Sequence, residues 1–275
     1  MLLFLHTKKP RNLGNESLLM SFEIIDLHCD TIMECYFGNE SLKDREGHIN
    51  IDKLQRGGCM AQTTALYLPT DGKFGKDGKT LPWDIYKGML ACWKEQMALN
   101  VDAIRPAFSA QDIKQNADAG FMSAVLSVED GIGIDGKIER VQEMYDDGVR
   151  MLALTWNWEN CIGYPNSIDP KQHAKGLKPF GFDVVQQMNV LGMIVDVSHL
   201  SEGGFWDVER CSSRPFIASH SCARTLRDHQ RNLTDEQLRA LADKGGVVGV
   251  NFCSAFLSED LRNTYAADIM RHMVH

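Results

Sequence analysis

The sequence has no block rich in lysine or arginine and no long apolar run. Its 275 residues carry 29 Lys and Arg against 37 Asp and Glu, a formal net charge of −8. Neutralising nucleic-acid phosphates needs clustered cations, so we expect no nucleic-acid partner. No stretch reaches the roughly 18 apolar residues of a spanning helix, and the apolar opening at residues 1–6 is too short for a secretion signal. We therefore expect no membrane partner and a cytoplasmic location.

Dense cysteine patterns and nucleotide-binding glycine motifs are also missing. The eight cysteines are scattered, with no C-x-x-C pair, which is typical of reduced, mostly buried thiols rather than of a disulfide scaffold. No G-x-G-x-x-G follows the first predicted strand, which argues against a dinucleotide-binding fold. No linker or internal repeat divides the chain. We expect an N-terminal tail over residues 1–20 and one domain over residues 21–275.

Short apolar or β-branched runs alternate with longer helical patterns along the chain. Strands are predicted over residues 23–28, 61–68, 122–128, 149–155, 193–197, 215–219 and 247–252. Helices are predicted near 50–57, 83–103, 137–147, 181–191, 202–210, 234–243 and 258–273. The alternation favours a parallel sheet with covering helices, buried on both faces. Seven strand–helix repeats indicate an α/β fold of the (β/α)8 TIM-barrel type.

Histidine and acidic residues fall at the ends of four predicted strands. His28 and Asp30 end the first strand as H-x-D, and residues two apart on a strand face the same way. Glu129 ends the third strand, and His199 and His220 follow the fifth and sixth. In a barrel these carboxyl ends form the rim that carries active sites. Imidazole and carboxylate suit zinc, and two such ions sharing a water would aim hydroxide at a carbonyl.

Each of these residues also has an ordinary structural interpretation. A lone histidine after a strand is usually a satisfied loop or core residue, and a lone H-x-D is a weak motif. The joint placement of all five is what favours a metal site over coincidence. Trp156 and Trp158 follow a strand end, where core packing and a pocket wall are equally compatible with the sequence.

Several segments together resemble the membrane or renal dipeptidase family, a branch of the metal-dependent amidohydrolase-like barrels. They are IIDLHCDT, SVEDG, LTWNWEN, LKPFGFDVVQQMNVLGMIVDVSHLSE, IASHSCAR, RNLTDEQL and GGVVGVNF. The resemblance runs from residue 23 to the C-terminus. The H-x-D opening departs from the H-x-H of most other barrels of that superfamily, which favours this branch.

The resemblance implies a binuclear zinc site that hydrolyses dipeptides, often with a D-residue at the C-terminal position. It places His28, Asp30 and Glu129 on one ion. Glu129 would bridge to a second ion held by His199 and His220, and it is also the group expected to help move a proton. A homodimer is implied by the resemblance as well.

The resemblance also assigns residues to the substrate. Arg231 matches the arginine that holds the substrate carboxylate, a contact that a guanidinium can make in bidentate form; the alternative is a surface arginine at a helix start. Better-studied animal members have a histidine, credited with stabilising the tetrahedral intermediate, where this chain has Trp156. We expect Asn157 to serve catalysis, and Trp156, Asn160 and Phe256 to contact substrate. Phe256 replaces a tyrosine of the animal pocket, so side-chain preference does not transfer.

Family members continue with a strand that ends in an aspartate, in a segment similar to G-S-D-F-D-G. This chain reaches His275 before such a segment, so we expect a barrel truncated before its eighth strand. Two alternatives to a dipeptidase stay open on the sequence alone. One is hydrolysis of another amide, such as a lactam, at the same site, and the other is an inactive metal-binding fragment.

Overall fold

The computed structural model describes residues 23–68 and 80–275. Its strands are β1 (Ile24–Asp26), β2 (Cys59–Tyr67), β3 (Ile104–Pro106), β4 (Met122–Glu129), β5 (Met151–Ala153), β6 (Ile194–Asp196), β7 (Ala218–Ser221) and β8 (Val248–Val250). Its helices are α1 (Thr31–Gly38), α2 (Ile51–Arg56), α3 (Pro82–Leu99), α4 (Ala110–Asp118), α5 (Glu139–Asp146), α6 (Pro170–His173), α7 (Pro179–Leu191), α8 (Glu202–Cys211), α9 (Asp235–Asp243), α10 (Ser254–Leu257) and α11 (Ala266–Val274). The predicted tail over residues 1–20 lies outside the described residues.

The strands run parallel and form a curled arc. Hydrogen bonds order them β1-β2-β4-β5-β6, with β3 beside the first residues of β4. β7 pairs with β8, and a parallel bridge between Asp196 and Ile217 joins that pair to β6. The seven strands of this arc are the seven predicted ones. The α/β class and a partial barrel are confirmed, whereas truncation before an eighth strand stays a prediction.

The middle of the arc is buried on both faces, which explains why its strands read as continuous apolar runs. In β4 every residue except Val125 is buried. Helix α3 covers the outer face with Tyr86, Met89 and Trp93, all buried. The Trp93 indole N–H donates to the Thr64 hydroxyl at 2.9 Å, so the large ring enters the core with its polar group satisfied.

Local sequence signals set several helix ends as predicted. The Ser201 hydroxyl accepts from Gly204 N at the start of α8, and Thr234 forms a reciprocal capping box with Gln237 at the start of α9. Helix α7 ends at Gly192, whose φ of 76° is the left-handed conformation that glycine adopts without strain. The starts of α8 and α9 fix where the loops after β6 and β7 end.

Helices α1, α4, α6 and α10 were not predicted, and two of the predicted helices have different bounds. The predicted helix over 83–103 ends at Leu99, and the chain turns through Asn100 into β3. The sequence did not reveal β3 because Ile-Arg-Pro has no apolar run and proline argues against a strand. The predicted helix over 258–273 is wrong at its start, because a turn at Asp260, whose side chain accepts from Arg262 N, separates α10 from α11.

No helix among the described residues has the length and apolar character needed to cross a bilayer. The cytoplasmic location stays a prediction.

Candidate metal centre

Four strand ends bring the predicted ligands to one cavity of about 360 Å³, within the size range of small-molecule sites. Pairing between β1 and β2 continues to Cys29, so His28 and Asp30 flank the last paired residue of that strand end. Glu129 is the last residue of β4, and His220 lies within β7. Residues after β8 also line the cavity, together with Trp156 and the predicted ligands. They are Asn251 and Phe252, next to Val250 of β8.

Glu129 lies at the centre of the cluster, with its side chain only 4% exposed. Its Oε2 is 3.5 Å from His28 Nε2, and its Oε1 is 3.1 Å from His199 Nε2 and 3.4 Å from His220 Nε2. His28 Nε2 is in turn 3.3 Å from Asp30 Oδ1. The structure thus brings all five residues together, and the two carboxylate oxygens face the two predicted ligand groups. His28, Glu129 and His220 offer ligand atoms within 4.8 Å of one another.

The donor set fits a cation rather than a hydrogen-bonded network. The Asn157 carboxamide oxygen lies 3.1 Å from His199 Nδ1. Since that oxygen can only accept, Nδ1 carries the proton and Nε2 presents a lone pair to Glu129 Oε1. Asp30 Oδ1 is buried without a hydrogen-bond partner. Lone pairs and carboxylate oxygens that face each other in a buried site are stabilised by a positive ion.

Electrostatics hold Glu129, His199 and His220 in the protonation states that ligation needs. His28 differs: burial by itself would lower its pKa, but the contacts with Glu129 and Asp30 raise it well above its ordinary value, so a metal ion would have to displace its proton. Burial and the nearby Arg231 lower the pKa of His199 to about 4. Burial and the charge of His28 also place the pKa of His220 well below its ordinary value. Burial by itself would raise the pKa of Glu129, but the positive charge of His28 and the contacts with His199 and His220 together outweigh it, so the pKa lies well below its usual range. Glu129 is therefore ionised while His199 and His220 are neutral.

Backbone strain concentrates beside the ligands. His199 has φ of 68° and Asp130, next to Glu129, has φ of 77°. Residues with side chains pay a steric cost in this region, and such residues cluster at functional sites. The His199 conformation is held by Asn166, whose backbone N–H donates to the His199 carbonyl at 2.7 Å.

The predicted residues between 156 and 160 have three different surroundings. Trp156 lines the cavity, with its ring 4.8 Å from the Tyr67 ring and 6.2 Å from the His199 ring. Asn157 is exposed and contacts the site through His199. Asn160 is buried away from the cavity lining, and it donates to Asp130 Oδ1 at 2.7 Å.

The amide of Asn160 is fully used inside its own loop. Its Nδ2 also donates to the Leu154 carbonyl, and its Oδ1 accepts from the backbone N–H groups of Ile162 and Gly163. The structure therefore does not bring Asn160 to the substrate cavity. Its hydrogen bonds shape the chain that follows β5.

Arg231 and Phe256 lie behind the histidines. Arg231 is 6% exposed, which is inconsistent with the surface alternative. Its Nη2 donates to the His220 carbonyl at 3.2 Å and its Nη1 to Ser221 Oγ at 3.4 Å, while Nε is buried without a hydrogen-bond partner. The Phe256 ring packs 5.5 Å from the guanidinium and does not line the main cavity.

Two polar residues behind the ligands were missed by the sequence analysis. Asp196 is buried at the end of β6, and Ser219 precedes His220 in β7. The available signal was an acidic residue inside a run predicted to be a buried strand, because a buried charge requires partners.

The fold and the ligand cluster define a metal-dependent hydrolase on a partial (β/α) barrel. The chain belongs to the membrane dipeptidase family (peptidase family M19), which it matches over residues 14–275. The resemblance seen in the sequence is confirmed, and so is the enzyme class, a hydrolase.

Individual relatives agree with this assignment. An uncharacterized protein in the pqqA 5′ region of Klebsiella pneumoniae is 39% identical over 201 residues, which span 70% of this chain and 73% of that protein. An uncharacterized dipeptidase of Schizosaccharomyces pombe is 29% identical over 278 residues, 94% of this chain and 66% of that protein.

A solved structure shares the fold. It is a metallopeptidase from Rhodobacter sphaeroides liganded with a phosphinate mimic of the dipeptide L-Ala-D-Ala. The TM-score is 0.83 at 24% sequence identity, over 93% of this chain and 82% of that chain.

Proposed function

We propose that this chain hydrolyses dipeptides at a binuclear zinc site in which Glu129 bridges the ions. One observation carries the proposal: the buried Glu129 carboxylate faces His28 with one oxygen and His199 and His220 with the other. A carboxylate that bridges two ions must direct one oxygen to the ligands of each ion. Family membership supports dipeptides as the substrate class.

His28, Asp30 and Glu129 would hold one ion, and Glu129, His199 and His220 the other. When bound, the ions lower the pKa of a water and polarise the scissile carbonyl. The chain's own residues supply the geometry. Because Trp156 and residues 250–252 line the cavity, we expect substrate entering it to lose part of the water around the reacting carbonyl. Glu129 is also the proposed group for helping to move a proton, because its carboxylate lies at the centre of the ligand cluster.

We assign the substrate carboxylate to Arg231. Burial lowers the pKa of Arg231 to about 10, so the guanidinium remains charged at neutral pH. Its Nε is buried without a hydrogen-bond partner, and a carboxylate would supply one. Phe256 packs beside the guanidinium and fixes its position. A free C-terminus one residue beyond the scissile bond would then be required.

The proposal includes acceptance of a C-terminal D-residue. Its support is the Rhodobacter sphaeroides metallopeptidase, which shares the fold and is liganded with a mimic of L-Ala-D-Ala. A homodimer, implied by the family resemblance, belongs to the same proposal, and light scattering of the purified chain checks it.

The test combines metal content with turnover of L-Ala-D-Ala and L-Ala-L-Ala by the zinc-loaded chain. We expect about two zinc ions per chain and hydrolysis of both dipeptides, with little turnover of the corresponding dipeptide amides. Glu129→Gln should lose zinc and activity. Glu143→Gln, at a half-exposed position on α5, is the matched control and should keep both.

Other outcomes discriminate among the alternatives. Two bound zinc ions with no dipeptide hydrolysis, but with turnover of a lactam, would replace the dipeptidase with another amide hydrolase. Bound zinc with no turnover of any of these would identify a metal-binding fragment. Full zinc content in Glu129→Gln would refute the bridging role.

A further inference from the structure

A buried carboxylate lies directly behind His220. Asp196 is the last residue of β6 and is 1% exposed. Its Oδ1 accepts from the backbone N–H groups of Ser198 and Ser219, each at 2.9 Å, and its Oδ2 accepts from the Ser219 hydroxyl. Among the described residues, three neutral donors rather than an ion pair therefore meet the charge of Asp196.

The proton count of Ser219 determines the tautomer of His220. A serine hydroxyl has one hydrogen, and Ser219 donates it to Asp196. Ser219 Oγ also lies 2.7 Å from His220 Nδ1, so in that contact the hydroxyl oxygen must accept. His220 Nδ1 then carries the proton, and Nε2 presents its lone pair toward Glu129 Oε1, 3.4 Å away.

A purely structural role for Asp196 would involve a different part of the carboxylate. The backbone hydrogen bond from Ser219 N to Oδ1 by itself ties the end of β6 to β7, and the one from Ser198 N is local to the end of β6. The Oδ2 branch through the Ser219 hydroxyl joins the same two strands, and in addition it ends on the ring nitrogen of a predicted metal ligand, which a tie between strands does not require. A carboxylate that polarises such a hydrogen bond makes the opposite ring nitrogen a better ligand.

His199 and His220 therefore present two lone pairs to the same point. His199 Nε2 is left unprotonated by the contact of Nδ1 with Asn157, and it lies 2.8 Å from His220 Nε2. Two imidazole lone pairs at that separation repel each other unless a cation lies between them. We propose that Asp196 and Ser219 form a positioning relay that fixes the ring and tautomer of His220 for metal binding. This inference rests on the metal site of the proposed function.

The cleanest test removes only the Ser219 hydroxyl. Ser219→Ala keeps the backbone N–H that bonds Asp196 Oδ1, so the tie between β6 and β7 survives. Ser212→Ala is the matched control, because Ser212 is also a buried serine whose hydroxyl is hydrogen-bonded, to Asn189 and the Arg214 carbonyl. Ser219→Thr retains a hydroxyl and serves as the rescue variant.

Two readouts are needed, one of which requires no metal. Nitrogen-15 NMR of the metal-free protein should show the Nδ1–H tautomer of His220 in the wild type and in Ser212→Ala. Ser219→Ala should show a mixture of tautomers. Zinc affinity, measured by competition with a chelating dye, should fall about 10- to 100-fold in Ser219→Ala. It should be unchanged in Ser212→Ala and largely restored in Ser219→Thr.

The outcomes separate the relay from the proposed function. Wild-type tautomer and zinc affinity in Ser219→Ala would overturn the relay while leaving the metal site intact. A wild type that binds no zinc would overturn the proposed function, and the NMR comparison would still decide whether Ser219 sets the tautomer. A loss of affinity equal in Ser219→Ala and Ser212→Ala would also overturn the relay, since any buried serine would then have the same effect.

Discussion

The loop that carries Arg231 is held by a second arginine, and its loss should be measurable. Arg224 Nε donates to the Asn232 carbonyl at 3.0 Å, and Nη2 donates to the Gln230 carbonyl at 3.3 Å. These carbonyls belong to the residues on either side of Arg231. Arg224 Nη1 also lies 3.5 Å from Glu202 Oε2 on α8. Arg224 Nη2 is also 3.3 Å from His173 Nε2. Replacing Arg224 with Met keeps most of the aliphatic stem and removes all four contacts.

The expected loss follows from burial. The Arg224 side chain is 21% exposed and its Glu202 partner is more exposed, so the ion pair contributes at most about 1 kcal/mol. The two hydrogen bonds to carbonyls contribute about 1 kcal/mol each after allowing for partial solvation. We expect Arg224→Met to lower the free energy of unfolding by about 2 kcal/mol. For a chain of this size that corresponds to a Tm lower by about 4–8 °C.

The measurement is thermal unfolding of the metal-free chain, followed by dipeptide kinetics of the zinc-loaded protein. KM should rise more than kcat falls, since Arg231 loses the frame that positions it for the substrate carboxylate. Arg210→Met is the control: Arg210 is 62% exposed and pairs with Asp207 on the surface of α8, so its Tm should change by about 1 °C or less. If Arg224→Met has the same Tm and KM as Arg210→Met, Arg224 does not hold the loop that carries Arg231.

Two further predictions concern stability. Thr234→Ala removes the hydroxyl that accepts from Gln237 N in the capping box of α9, so the free energy of unfolding should fall by about 1 kcal/mol in a denaturant titration; an unchanged midpoint would count against the cap. His272 accepts from Ala223 N through Nδ1 and contacts the Leu257 carbonyl through Nε2, and burial lowers its pKa. The folded pKa lies below the unfolded value of about 6.5. The stability that neutral His272 contributes is therefore complete above about pH 6.5, and it is lost as the pH falls from there through the folded pKa. Hydrogen exchange of α11, corrected for intrinsic rates, should therefore be faster below about pH 6.5 than above it in the wild type but not in His272→Asn. Equal protection of α11 above and below about pH 6.5 in the wild type would refute this role of His272.

The ligand cluster could be predicted from the sequence because, in this fold, residues at the carboxyl ends of different strands lie close together. Parallel strands bring their carboxyl ends to one rim, so His28, Glu129 and His220 needed only to be found at strand ends. Nothing about their distances had to be known. The same rule placed Trp156 at the cavity, since it too follows a strand.

The surroundings of the other residues depend on contacts between distant parts of the chain. Asn160 lies near Trp156 in sequence, yet its amide is consumed by Asp130, thirty residues earlier. Arg231 is buried because β7 and the loop after it fold over it, which no local pattern reveals. Strand β3 was missed for a different reason: its residues, Ile-Arg-Pro, form no apolar run, and proline argues against a strand.

In the candidate metal centre, the Glu129 carboxylate and the lone pairs of His199 and His220 repel one another. Residues outside the ligand cluster hold them in this geometry. Lone pairs can face Glu129 only if each imidazole sends its proton outward, to Asn157 from His199 and to Ser219 from His220. The left-handed backbone of His199 has a steric cost, which the hydrogen bond from Asn166 helps to offset. These outer contacts are hydrogen bonds of ordinary length to residues that are not themselves ligands. A substitution at Asn157 or Ser219 should therefore affect metal affinity first, with little change in the fold, because Asn157 is exposed and the backbone N–H of Ser219 still bonds Asp196 when the hydroxyl is removed.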